Sequence, residues 1–199
     1  MVKNSPKYGR RWLLGSVGRA EYMRDFASPF DEDVIYWDIL HQFSFPLTVE
    51  GICRIHRRVH QAPGAGQLRT DWVTIGEVFE PPEASYVAAQ LAVFINRLNN
   101  EFLLTRAKEN GSLSNCHLAA YAHYELVRFH PFEDGNGRAG RMLMNVVLSC
   151  LGMQPITFPD DQAGRARYYD CLEDANRRHG NIAMLAEYIN NIEYYLDFV

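Results

Sequence analysis

His130-Pro131-Phe132-Glu133-Asp134-Gly135-Asn136-Gly137-Arg138-Ala139-Gly140-Arg141 lies between two stretches of helical periodicity. Upstream, Leu118, Ala122 and Leu126 recur four residues apart, which predicts a helix over 118–129. Downstream, Leu143, Val146, Val147 and Leu151 predict a helix over 138–151. Gly152 stands where a C-terminal cap belongs, and Pro155 follows it. Between the helices, Gly135 and Gly137 let the backbone bend where side chains would clash. Such a turn points several N–H groups at one spot. The next helix adds its own unsatisfied N–H groups and its positive end. Together they make an anion site, and a phosphate is the natural occupant.

The side chains of this loop extend that reading. Arg138 and Arg141 are three apart and are expected on one helix face, where two planar forks suit a polyphosphate. Asp134 is a hard oxygen ligand beside them, and one carboxylate plus phosphate oxygens is a common way to hold Mg²⁺. His130 can accept a proton near neutral pH. Each feature alone has a plainer reading: a turn, a helix-end histidine, a solvated basic face. A base, a metal ligand and a phosphate clamp within twelve residues point to phosphoryl or nucleotidyl transfer.

Outward from the loop, the chain reads as mainly α. Ile52, Ile55 and Val59 mark an early helix beginning near Leu47, after Pro46. Val87, Leu91, Phe94, Ile95 and Leu98 mark another over 86–102, and a polar linker is expected over 108–115. Two further helices are expected over 163–176 and 183–195. Pro63-Gly64-Ala65-Gly66 is a break. After it, Arg69-Thr70-Asp71-Trp72-Val73-Thr74-Ile75-Gly76 is β-prone at its centre and closes at Pro81-Pro82, which predicts a small hairpin or an extended flap. The expected organisation is an arm over 1–46, a catalytic core over 47–181 and a C-terminal helix over 182–199 packed on it.

The 199 residues suit one domain, and a 47% hydrophobic share allows a sizeable core. A formal net charge of -4 disfavours nucleic acid as the main partner. No apolar run is long enough for a membrane span, and the N-terminus lacks the apolar segment of a secretory signal. Cys53, Cys116, Cys150 and Cys171 are widely spaced, so free thiols in a reducing cytosol are expected ahead of disulfides or zinc ligation. His56 and His60, four apart, and His117 and His123, six apart, are read as structural. A cytoplasmic location is expected, with a secreted effector as the alternative.

The twelve-residue loop resembles the Fic-family signature H-x-F-x-[D/E]-G-N-G-R-x-x-R at every fixed position. The likeness extends to Ile55-His56-Arg57-Arg58-Val59, to the segment Arg69 to Gly76 with Pro81-Pro82, and to Arg167-Tyr168-Tyr169 through Asn176, about residues 47–181 in all. The resemblance implies a Fic-fold helical bundle with a small β-hairpin flap. It implies a protein adenylyltransferase, which moves AMP from ATP, with Mg²⁺, to a Ser, Thr or Tyr hydroxyl of a target protein. By position, His130 would be the general base, Phe132 a buried anchor and Asp134 the Mg²⁺ ligand. Gly135, Asn136 and Gly137 would cradle phosphate, the Asn136 side chain contributing, and Arg138 and Arg141 would bind the outer phosphates. Tyr169 and Asn176 would contact the adenine side. Arg69, Thr70, Asp71, Trp72, Val73, Thr74, Ile75 and Gly76 would form the flap that docks the target. The alternatives are a transferase of UMP or GMP, and a non-catalytic ATP-binding module, for which His130 would serve no purpose.

Many members of the family are restrained by a glutamate in the pattern [S/T]-x-x-x-E-[G/N]. Thr105-Arg106-Ala107-Lys108-Glu109-Asn110 satisfies it, at an unusual place between two core helices, making Glu109 the candidate inhibitory residue. Neither end of the chain carries the pattern. A separate antitoxin-like inhibitor is the expected alternative, and the oligomeric state is left open.

Overall fold

The computed structural model describes residues 40, 42–73, 81–107, 112–156, 158 and 162–192. The arm over 1–39, Thr74, Ile75 and Gly76 of the flap, Glu109 and the last residues from 193 lie outside them. Among the described residues six helices are present: α1 (Val49–Val59), α2 (Ala84–Ala107), α3 (Ser112–Phe129), α4 (Asn136–Cys150), α5 (Gln162–Arg177) and α6 (Ala183–Asn191).

Helix α1 starts where Thr48, in extended conformation, accepts a hydrogen bond from Gly51 N–H on its side-chain oxygen at 3.0 Å. Its buried face carries Ile52, Ile55, His56 and Val59. Helix α2 extends beyond the expected 86–102 at both ends. Helix α3 starts six residues earlier than the apolar pattern suggested, so Ser112 to Asn115, expected in a linker, are helical. The start of α3 has few apolar residues to register, which is why periodicity missed it.

Helix α4 is the pillar of the bundle. Met142 through Leu148 are all buried, so the helix is enclosed on every face and not on one apolar side. It packs against α3 on one side and α1 on the other, while α3 also packs on α2 and α6. Asn145 is 1% exposed within α4 and is fully used. Its Nδ2 donates to the carbonyls of Arg141 (3.0 Å) and Ile156 (3.1 Å), and its Oδ1 accepts from Ile156 N–H at 3.0 Å. That pairing fixes the segment that leaves α4. The helix closes as expected at Gly152, in the left-handed region at φ 76°, where Gly152 N–H bonds Ser149 O and Met153 N–H bonds Leu148 O.

Helix α6 lies against α3 and α5 through buried Leu185, Ala186, Tyr188 and Ile189. All four cysteines are free, and burial pushes the Cys116 and Cys171 thiols up to about 11. Arg69 to Val73 have irregular backbone, so no strand is seen in the described part of the flap. No described helix is long and apolar enough to cross a membrane.

Candidate active site

The loop from His130 to Gly135 joins α3 to α4, and clasps from three other segments set its shape. At the exit of α3, His130 N–H still bonds Leu126 O at 3.1 Å while His130 itself turns to φ 46°. Histidine is among the residues that enter this region more readily than most. Its Nδ1 lies 3.1 Å from the Val127 carbonyl. A carbonyl only accepts, so Nδ1 carries the proton and Nε2 presents a lone pair. Burial lowers the pKa of His130 below the ordinary histidine value, opposed by the Val127 contact and helped by the Arg69 charge. The ring is therefore neutral at pH 7 and fit to accept a proton on Nε2.

Phe132 is fully buried and stacks on His56, ring centroids 3.7 Å apart. Its burial contributes about 1.5–3 kcal/mol, which holds the middle of the loop in the core. Its backbone is closed by Asn136: Oδ1 accepts from Phe132 N–H at 3.0 Å, and Nδ2 donates to Phe132 O at 2.9 Å. Asn136 is 1% exposed. The sequence assigns this side chain to the phosphate cradle; here its oxygen and one amide hydrogen also bind the loop itself.

His56, read from sequence as structural, clamps the same loop. Its Nδ1 accepts from Gly66 N–H at 2.8 Å, and its Nε2–H donates to Asp134 O at 2.8 Å. Burial, above all, lowers its pKa to about 4, consistent with a neutral ring that donates once and accepts once. Gly135 follows at φ 74°, and a Cβ there would meet His60 Cγ at 2.8 Å and His56 Nε2 at 2.9 Å. Only glycine fits this bend.

Arg69 is the residue whose role the sequence concealed. Expected in the target-docking flap, it is 3% exposed and turned inward. Its guanidinium donates to the carbonyls of His130 (Nε, 2.7 Å), Asp71 (2.9 Å) and Pro82, and its N–H donates to Pro131 O at 2.9 Å. One side chain thus ties the two ends of the flap segment to the backbone of His130. Thr70, Asp71 and Trp72 remain on the surface, Trp72 at 61% exposure, and Val73 is half-buried.

The positive end of α4 opens at Gly135, which offers no side-chain cap. The two arginines flank it and engage different helices. Arg138 donates to Nδ1 of His60, the residue that caps the end of α1, at 2.7 Å and lies 3.6 Å from the Asp134 carboxylate. Arg141 donates from Nη1 to Tyr168 Oη on α5 at 3.1 Å, and its guanidinium lies against Gly137. The side chain of Asp134 is 77% exposed, and its Oδ1 accepts from Gly135 N–H at 2.6 Å. On α5, Tyr169 is 57% exposed and Asn176, two turns on, is half-buried. The loop, the helix end and the two arginines are thus brought together, while Tyr169 and Asn176 stand on the neighbouring helix. The residues missed in sequence are Arg69, as a clasp, and Tyr168. The i, i+4 spacing of His56 and His60 was the available signal for the α1 contribution.

The chain is similar to known proteins in sequence and in fold. The profile described as the Fic/DOC family matches residues 46–148. Protein adenylyltransferase fic-1 of Caenorhabditis elegans is 38% identical over 133 residues, covering 65% of this chain and 24% of that protein. Protein adenylyltransferase Fic of Drosophila persimilis is 38% identical over 146 residues, covering 72% of this chain and 26% of that protein. The chain thus spans about a quarter of the length of these curated relatives. Among solved structures, Fic-1 from C. elegans superposes with a TM-score of 0.59 at 26% identity, over 88% of this chain and 55% of that one. A Fic-domain signalling protein from Bacteroides thetaiotaomicron gives 0.67 at 23% identity, over 93% and 83%, a likeness of fold. The profile spans more than half of the residues, the whole of the His130–Arg141 loop among them, and the chain belongs to the Fic/DOC family.

Proposed function

We propose that this chain is a protein adenylyltransferase domain that moves AMP from ATP to a Ser, Thr or Tyr hydroxyl of a target protein. The observation that carries the reading is His130. Its Nδ1–H is tied to Val127 O, its ring is kept neutral by burial, and it follows α3 directly into the turn before the open end of α4. The adenylyltransferase names of the relatives from C. elegans and D. persimilis support the same choice of reaction.

In this reaction the target hydroxyl oxygen attacks the α-phosphorus of ATP. Its proton passes to Nε2 of His130, the new O–P bond forms, and the bond to the bridging oxygen breaks as pyrophosphate leaves. The N-terminal end of α4 faces the negative charge that grows on the phosphates, and Arg138 and Arg141 flank it. Asp134 fits a Mg²⁺ ion: it is a single exposed carboxylate, the kind of ligand that ion takes alongside phosphate oxygens and water. Bound there, Mg²⁺ would neutralise phosphate charge. Tyr169 and Asn176 lie on the adenine side, and Trp72 with its neighbours meets the target segment.

The test is label transfer. The protein is incubated with Mg²⁺, a target lysate and each α-phosphate-labelled nucleotide in turn, beside His130→Ala. Label from ATP alone, absent in the variant, is the expected result. Label from UTP or GTP would replace AMP by another nucleotide, and label undiminished in the variant would remove His130 from the chemistry.

A further inference from the structure

Tyr168 and His123 form a buried polar chain that the reaction above does not use. Tyr168 is 7% exposed, and His123, on α3, is fully buried. The Tyr168 ring packs against Phe158 (centroids 4.8 Å apart) and His123 (5.6 Å), which also meet each other at 6.3 Å. Its hydroxyl meets Arg141 Nη1 at 3.1 Å and His123 Nε2 at 2.9 Å. A guanidinium only donates, so the Tyr168 oxygen accepts from Arg141. The hydroxyl proton is then left for His123 Nε2, which accepts it when the histidine is neutral with its proton on Nδ1. Burial first, and then the Arg141 charge, lower the His123 pKa to about 3, so the neutral form persists at physiological pH. Among the described residues Nδ1 has no hydrogen bond of normal geometry, and it lies so close to Gly140 that a Cβ there would stand 2.8 Å from it.

We propose that Tyr168, braced by His123, is a positioning residue that holds the Arg141 guanidinium beside Gly137 at the start of α4, ready for the outer phosphates of a nucleoside triphosphate. Arginine gives up much rotamer freedom when it binds, and a group already held in place gives up less. Tyr168 is suited to this because its ring is buried against Phe158 and His123, and α5 carries it next to the exposed Tyr169. The role rests on the nucleotidyl-transfer reading above, and it adds selectivity for triphosphate over monophosphate to a residue of unassigned purpose.

The test uses Tyr168→Phe, which keeps the ring and removes the oxygen. Binding of ATP, pyrophosphate and AMP is measured by calorimetry for wild type, Y168F, R141A and the double variant. The expected result is ATP and pyrophosphate binding weakened about five- to tenfold in Y168F with AMP unchanged. In the R141A background the second substitution should add nothing. Equal weakening of AMP, as a general loss of fold would give, overturns the proposal. So does an unchanged ATP affinity, or an equal effect of Y168F with and without Arg141. A wild-type protein that binds ATP no more tightly than AMP overturns it together with the triphosphate reading, and the wild-type measurement alone distinguishes that case.

Discussion

Asn136→Ala separates two roles for the motif asparagine, because one acts on stability and the other on nucleotide binding. The substitution removes two hydrogen bonds, at 3.0 and 2.9 Å, from the N–H and C=O of Phe132, a residue with no exposure. Each buried backbone group left unpaired costs about 1–3 kcal/mol, so the pair costs about 2–6 kcal/mol. Asn136 is 1% exposed and Phe132 not at all, so water reaches the freed groups only if the loop opens. At about 2–4 °C per kcal/mol for a chain of this size, a loss near 3 kcal/mol lowers the melting temperature by about 6–12 °C. The assay is urea and thermal unfolding of the nucleotide-free protein. Asn136→Asp is the companion: it keeps an acceptor for Phe132 N–H and loses the donor, so its effect should fall between. A nucleotide-free N136A protein within about 0.5 kcal/mol of wild type, with ATP binding weakened, would refute the clamp and return Asn136 to the phosphates.

Gly135→Ala should cost about 2–5 kcal/mol, roughly 1–2 from the left-handed backbone and the rest from the contact with His56 and His60; chemical denaturation reads it. Arg69→Met should lower kcat more than it raises the KM for ATP, since it frees the backbone of His130 and leaves the arginines alone; steady-state kinetics separate the two. His130→Asn should lower transfer by about 10²–10⁴-fold while the chain stays folded, because asparagine also tolerates positive φ; label incorporation and circular dichroism check both halves. The folded pKa of His130 lies below its ordinary value, so the acid limb of the rate profile should have its midpoint below about 6.5. The same sign governs stability through His56 and His123. Their folded pKa values, about 4 and about 3, lie below the unfolded value, so the unfolded chain binds more protons as the pH falls. Stability should hold above about pH 6.5 and decline from there toward pH 4, and H56Q should flatten part of that decline.

Residue spacing made the helical bundle legible because amphipathic helices repeat their apolar positions. The full enclosure of α4 is not legible in the spacing of Leu143, Val146, Val147 and Leu151, since Met142, Met144 and Asn145 do not announce how many neighbours a helix will have. The loop was legible as a motif: glycines, a histidine, a carboxylate and arginines lie close together in the chain. What sequence could not supply was the inward turn of Arg69, which depends on carbonyls of His130 and Pro82. Nor did it show that Tyr168 and not Tyr169 faces Arg141. Two adjacent tyrosines on a helix look alike until the packing of α5 on α6 assigns the inner one.

The clasps on the loop share a target: Arg69 grips the carbonyl of His130, Asn136 the backbone of Phe132, and His56 the carbonyl of Asp134. Each addresses main-chain atoms, and none holds the imidazole of His130 or takes up both oxygens of the Asp134 carboxylate. The loop therefore divides labour between residues that set its path and side chains that carry the chemistry. Chemistry at positions 130 and 134 can change while the path persists, so this architecture can explore new transferred groups without first having to learn to fold again.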